Sequence, residues 1–170
     1  MTSRKVNGKR TIKTRITPML WFDTQAEEAA NFYVRIFPDS RITEVSRFPA
    51  GGPGPAGSVM VVGFELDGQP FTALNGGPRF KFTEAISLVV NCDGQREVDR
   101  YWEKLLEGGG QTQACGWLKD RFGLSWQVVP TEVVEMLSDP DPAKVKRTFG
   151  AVMQMVKLDL AVIRRAFDGR

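Results

Sequence analysis

The sequence predicts an α+β fold made of two copies of one strand–helix–strands module, followed by a helical extension. Two helical stripes share one set of offsets. Ala29, Phe32, Tyr33, Ile36 and Phe37 fall at i, i+3, i+4, i+7 and i+8, and so do Val98, Tyr101, Trp102, Leu105 and Leu106. An apolar run of strand length precedes each stripe, and further such runs follow it. Beyond Pro130 the alternating pattern gives way to helical periodicity. Repeated units of this kind, with mostly antiparallel pairing, make an α+β architecture.

In the first module, Ile16–Phe22 reads as a buried strand. Thr24 and Glu27 have the spacing of a capping box for the helix that runs to Phe37, where Pro38 stops it. Ser40–Phe48 alternates as a strand with one wet face, and the Pro/Gly-rich stretch 49–57 is a surface loop. The apolar run after it ends at Asp67-Gly68, a hairpin turn signal, and Gln69–Gly77 is the partner strand. "NGGPRFKFTE" links the modules.

In the second module, "AISLVVNCD" is a buried strand, the second stripe is its helix, and Gly108–Gly110 close that helix. "QTQACGWLKD" and "LSWQVVP" read as two strands around the "DRFG" turn. Thr131 is placed to cap the next helix, and Asp141 with Pro142 opens another. Phe149, Val152, Met153 and Val156 form an apolar stripe that Leu160, Ile163 and Phe167 continue. An apolar helical face must cover something, its own sheet or a second copy, so a homodimer is expected. The domain boundaries expected are a basic flexible tail at 1–14, paired modules within 15–130 (about 15–78 and 84–130), and the extension at 131–170.

Composition narrows the function. The chain has 170 residues, 42% hydrophobic and 25% charged, enough to bury a core without metals or disulfides. Net charge is +3, yet Arg4, Lys5, Lys9, Arg10, Lys13 and Arg15 precede any acid, so the remainder is mildly acidic. No aromatic residue interleaves with those cations, which argues against nucleic-acid binding by base stacking. The basic arm lacks the apolar core of a secretory signal, and no run approaches the ~20 apolar residues of a membrane helix. With only Cys92 and Cys115, a cytoplasmic setting is expected. The chain has no histidine, which removes His-based acid–base chemistry, His-containing triads and His-containing metal sites.

"ITPMLWFDTQAEEAANFYVRIFPDSRI", "NGGPRFKFTEAISLVVNCDGQREVDRYWEKL", "CGWLKDRFGLSWQVVP" and "MVKLDLAVI" resemble the PhnB-like branch of the vicinal oxygen chelate superfamily, which includes glyoxalases, bleomycin-resistance proteins and extradiol dioxygenases. The branch is often labelled demethylubiquinone methyltransferase-like. The resemblance runs from about Arg15 to Ala166. It implies paired βαβββ modules (the glyoxalase fold) that curl into cups around a cavity, and frequent dimerisation. Metal-dependent relatives hold a divalent ion with four inward side chains, mostly His and Glu. The positions implied here are Met19 or Trp21, Asn75 or Ala73, Ser87 and Gln127. None is a carboxylate, thiolate or imidazole, so no metal and no other cofactor is expected.

Cys115, before Gly116 and Trp117, is a further cavity candidate, although a lone cysteine is more often a small buried residue. Trp21, Phe22, Phe64, Phe71, Trp117 and Trp126 fall on predicted strands, where core packing is the ordinary role and a pocket wall the functional one. Asp23, Glu65 and Asp120 sit at strand ends or turns, where capping or solvation is ordinary. The expectation is therefore a small apolar or aromatic organic molecule bound in a cavity between modules. Its ligand-binding residues are Met19, Trp21, Asn75, Ser87, Cys115, Trp117 and Gln127, with no catalytic residue identified. Two alternatives stay open: a metal-dependent lyase, isomerase or dioxygenase-type enzyme, and a structural protein acting through its helical tail. S-adenosylmethionine-dependent methyl transfer is disfavoured, because neither glycine cluster precedes a helix.

Overall fold

The structure, a computed structural model, describes residues 15–170; the basic arm expected at 1–14 lies outside them. The chain divides into two compact units. One holds residues 15–20 with Ala26–Asn75, the other Trp21–Gln25 with Gly76–Arg170.

The first module runs β1 (Met19–Phe22), α1 (Ala26–Val34), β2 (Arg41–Arg47), β3 (Val59–Leu66) and β4 (Gln69–Asn75), with sheet order β1-β4-β3-β2. Its core follows the two-residue period of the strands: Val62, Phe64 and Leu66 of β3 are buried, as are Phe71 and Ala73 of β4. The β3–β4 register sets Phe64 opposite Phe71, their rings 5.5 Å apart, and Val62 opposite Ala73. Tyr33 of α1, fully buried, lies over Phe64 at 6.3 Å. The hairpin turns at Asp67 (φ 47°) and Gly68 (φ 74°), the two positive φ values of a type I′ turn.

The second module repeats the order: β5 (Ser87–Cys92), α2 (Gln95–Leu106), β6 (Gln111–Thr112), β7 (Trp117–Lys119) and β8 (Ser125–Pro130), sheet order β5-β8-β7-β6. In both modules the first strand lies beside the last, which is the βαβββ arrangement; β5 and β8 run parallel. Val90 and Cys92 of β5, Leu118 of β7, and Trp126 and Val128 of β8 form the buried face under α2, which contributes Val98, Tyr101, Trp102 and Leu105.

The extension adds α3 (Thr131–Leu137), α4 (Pro142–Val152) and α5 (Leu160–Asp168) to the second unit. Val133, Met136, Leu158, Leu160 and Ile163 make its own small core. The Asp141 carboxylate accepts from the Ala143 N–H at 2.8 Å, so the expected cap and Pro142 start are as the sequence indicates. The extension is stitched to the module by backbone. The N–H groups of Cys115 and Gly116 donate to the carbonyls of Met155 (2.7 Å) and Val156 (2.8 Å). The Gln95 amide donates to Leu158 O (3.1 Å) and accepts from Leu160 N–H (2.8 Å).

Several expected details differ. β1 begins at Met19, and Ile16 is exposed. Helix α1 ends at Val34, short of Phe37. The Thr24–Glu27 capping box does not form. Instead the Ala26 N–H donates 2.8 Å to Asn75 Oδ1, so a strand far along the chain supplies the cap. Thr131 is the first residue of α3 rather than its cap, and its hydroxyl donates to Cys92 O. The strand expected over Gln111–Asp120 is two short strands, broken where Cys115 (φ 61°) and Gly116 (φ 81°) turn the backbone left-handed. Helix α4 ends at Val152, and Phe149, Met153 and Val156 stay about half exposed, so this part of the expected stripe is not buried against its own sheet.

Candidate functional site

The linker between the modules folds onto residues 21–25 and the β7–β8 turn, within the second unit, and a pocket of about 360 Å³ opens there. Its apolar walls are Trp21, Phe22, Pro78, Phe80, Phe82 and Phe122; Asp23, Gln25, Lys81, Lys119 and Gly123 complete the lining. The rings meet edge to face: Trp21 on Phe80 at 5.0 Å, Phe22 on Phe82 at 5.2 Å and on Phe122 at 6.0 Å. Phe22 is buried, whereas Phe80 is 55% exposed, an apolar ring held open to solvent.

The two glycines of "NGGPRFKF" hold this wall. Trp21 Nε1–H donates to Gly77 O at 2.9 Å. A Cβ at Gly76 would lie 2.6 Å or less from Cζ2, Cε2 and Cη2 of the Trp21 indole, so only glycine leaves room for the ring. Gly77, at φ 86°, turns the chain toward Pro78. The other wall stands on Asp120, 3% exposed. One carboxylate oxygen accepts from the N–H groups of Phe122 (2.8 Å) and Leu124 (3.1 Å), the other from Trp126 Nε1–H (2.8 Å). That bonding fixes the turn that carries Phe122 and Gly123.

Lys119 pairs with Glu84 at 2.6 Å, and Gln113 Nε2 donates to the same carboxylate at 3.2 Å. The hydrogen bond from Lys119, helped by that from Gln113, holds the Glu84 carboxyl below its usual range. Lys81 makes no hydrogen bond or ion pair among the described residues.

The sequence-predicted site residues fall in different places. Trp21 is a pocket wall. Met19 is 60% exposed at the start of β1. Asn75 spends its amide within its own module: Oδ1 takes the Ala26 N–H and Nδ2 donates to Val59 O at 3.0 Å. Ser87, Trp117 and Gln127 share the face of the second sheet opposite α2. Gln127 lies opposite Trp117 in the register, and its Nε2 donates 2.9 Å to Ser87 Oγ. Buried beside them, Ser125 Oγ has no hydrogen-bond partner among the described residues. Cys115 sits in the left-handed turn with Sγ 3.5 Å from Met153 Sδ. Burial pushes the Cys92 thiol up to about 12.

The residues present do not fit a divalent ion. Asn75 is committed to a helix end, Ser87 and Gln127 bond each other, and the thioether of Met19 is a poor ligand for a hard cation. Among the described residues no three His, Cys, Asp or Glu side chains are grouped to hold a metal. No helix among them is long and apolar enough to cross a membrane.

Two sheets of order first–fourth–third–second, each with its helix, define a vicinal oxygen chelate fold. The fosfomycin resistance protein FosX of Mesorhizobium loti shares it: 14% identity over 75% of this chain and 99% of its own, TM-score 0.54. So does the protein PA1353 of Pseudomonas aeruginosa, 24% identical over 68% of this chain and 96% of its own, TM-score 0.55. Similarity to a PhnB protein from Bacillus cereus is stronger, 36% identity over 69% of this chain and 99% of that one, TM-score 0.63. The family described as 3-demethylubiquinone-9 3-methyltransferase matches residues 14–129. The chain belongs to that family, the PhnB-like branch of the superfamily. Comparison with curated proteins gives no match.

The family description implies a methyl-donor cofactor, and the glycine geometry does not fit a nucleotide-type one. Gly51, Gly52 and Gly54 join β2 to β3, and Gly76 and Gly77 lead into an irregular segment. Gly94 does open α2, but there the Asp93 N–H is taken at 2.8 Å by Glu97 of the same helix.

Proposed function

We propose that this protein binds a small aromatic organic molecule, and that the site is the pocket between the linker and the β7–β8 turn. The observation that carries this reading is the wall of Trp21, Phe22, Phe80, Phe82 and Phe122 around about 360 Å³. That volume and lining, apolar with a few polar groups, suit a small-molecule site. The aromatic wall is preorganised by Gly76, Gly77 and Asp120, so little ordering entropy is lost on binding. In this reading the protein binds without a metal, because the donors at the superfamily's ligand positions are amide, hydroxyl and thioether.

The test is calorimetry with small ring compounds on the wild type and on Trp21→Ala and Phe82→Ala. Expected is saturable binding that weakens at least tenfold in both variants; equal binding by all three removes the pocket from the reading. Elemental analysis of purified protein separates this from the metal-dependent alternative, which needs stoichiometric metal. Association of two copies through the exposed Phe149, Met153 and Val156 is part of the same reading. Light scattering on Phe149→Glu, expected to be monomeric, checks it.

A further inference from the structure

We propose that the ligand of the aromatic pocket carries an anionic group, and that Lys81 receives it. This deepens the binding reading above and rests on it. The segment Phe80-Lys81-Phe82 puts a cation between two rings that both line the pocket, and Lys81 lines it too. The other lining cation, Lys119, is already neutralised by Glu84 at 2.6 Å. Lys81 has no such partner among the described residues. Asp23, which also lines the pocket, does not pair with it either, so the lysine is not consumed among the described residues.

An ammonium at the mouth of an apolar pocket interacts with a ligand anion more strongly than an ammonium in bulk water, because the rings exclude part of the solvent. Charge alone would serve any anion. The edge-to-face rings restrict the partner to one that also presents a flat apolar body. The chemical class is therefore an aromatic or arylalkyl carboxylate, or another singly charged aromatic anion. A cationic ring compound would have to pair with Asp23, the carboxylate of the lining, against the ammonium of Lys81, because Glu84 is held by Lys119.

The experiment compares three probes of equal size on the full chain: 3-phenylpropionate, 3-phenylpropanamide and 3-phenylpropylamine. Binding is read by calorimetry and by the shift of the Trp21 indole N–H resonance. Expected is 3-phenylpropionate bound at least fivefold tighter than the amide, with the amine weakest. That preference shrinks as salt is raised. It is lost in Lys81→Gln and retained in Arg79→Gln, which removes the same charge from a neighbouring residue whose guanidinium lies on Phe80, 5.3 Å from the ring centroid, and does not line the pocket. Equal binding of acid and amide overturns the proposal while leaving the aromatic pocket standing. Equal losses in Lys81→Gln and Arg79→Gln overturn it as well, since only general charge would then be at work. Failure of all three probes to perturb Trp21 overturns the binding reading and this inference together.

Discussion

Replacing Gly76 by alanine isolates the contact on which the pocket wall depends. The new Cβ would stand 2.6 Å or less from three atoms of the Trp21 indole. Ordinary carbon contacts lie at about 3.5–4.0 Å, so the ring must retreat by on the order of 1 Å. Overpacking of this kind costs about 1–3 kcal/mol. Displacing the indole also breaks the Trp21 Nε1–H bond to Gly77 O, about 0.5–1.5 kcal/mol more. Against this, Gly76 is not in the left-handed region, so alanine restricts the unfolded chain and returns about 0.4–1 kcal/mol. The net expectation is a loss of roughly 0.5–4 kcal/mol, centred near 2, and a fall in Tm of about 2–4 °C for each kcal/mol. Urea unfolding followed by circular dichroism measures it. The control is the same substitution in Trp21→Ala, where the three colliding indole atoms are gone and Gly76→Ala is expected to be neutral or slightly stabilising. A cost equal in both backgrounds, within about 0.5 kcal/mol, would refute the packing argument.

Other outcomes follow from the same geometry. Asp120→Ala leaves the N–H groups of Phe122, Leu124 and Trp126 without their acceptor, and is expected to lower the unfolding free energy by about 3 kcal/mol or more in urea titrations, with Asp120→Asn intermediate. Hydrogen bonds from Arg164 to Glu132, and from Lys157 first and Gln95 second to Asp99, hold both carboxyls below their ordinary values. Their contribution is therefore complete above the ordinary carboxylate pKa and is lost as pH falls through the lowered folded values. Urea midpoints should decline below about pH 4 and decline less in Glu132→Gln and Asp99→Asn; because these pairs are exposed the effect is small. At pH 8 a thiol reagent should modify Cys115 in the native protein, while Cys92, fully buried with its thiol pushed up to about 12, reacts only on unfolding. Gly116→Ala puts a Cβ 3.0 Å from Leu158 Cγ and Val128 O at φ 81°, and should increase amide exchange across α5 by loosening the extension.

The repeat was legible because burial imposes a period. Tyr33 and Trp102, at matching places in two stripes, are both buried in their helices. Asp67-Gly68 and Asp141-Pro142 were readable for a similar reason: each is a short-range conformational demand that few residues meet. The Asn75 cap was not, since its partner at Ala26 lies 49 residues away and a nearer box, Thr24 with Glu27, offered itself. The break at Cys115–Gly116 was hidden too. What bends that strand is the segment carrying Met155 and Val156, whose carbonyls take its N–H groups.

The candidate site divides the same way. Trp21 was marked as an aromatic on a strand, and Ser87, Trp117 and Gln127 do share one sheet face through the register of β7 and β8. Phe80, Lys81, Phe82 and Phe122 carry no such local signal. "RFKF" has the alternation of an extended connector, and nothing local says which side of it will meet other rings. Periodicity, turn chemistry and the absence of histidine are properties of neighbouring residues or of composition, so they are written along the chain and give the modules, their order and the lack of imidazole ligands. A pocket is a relation among residues 21–25, 78–82 and 119–123, far apart in sequence. It exists only once two glycines, one buried aspartate and the sheet registers have fixed their distances.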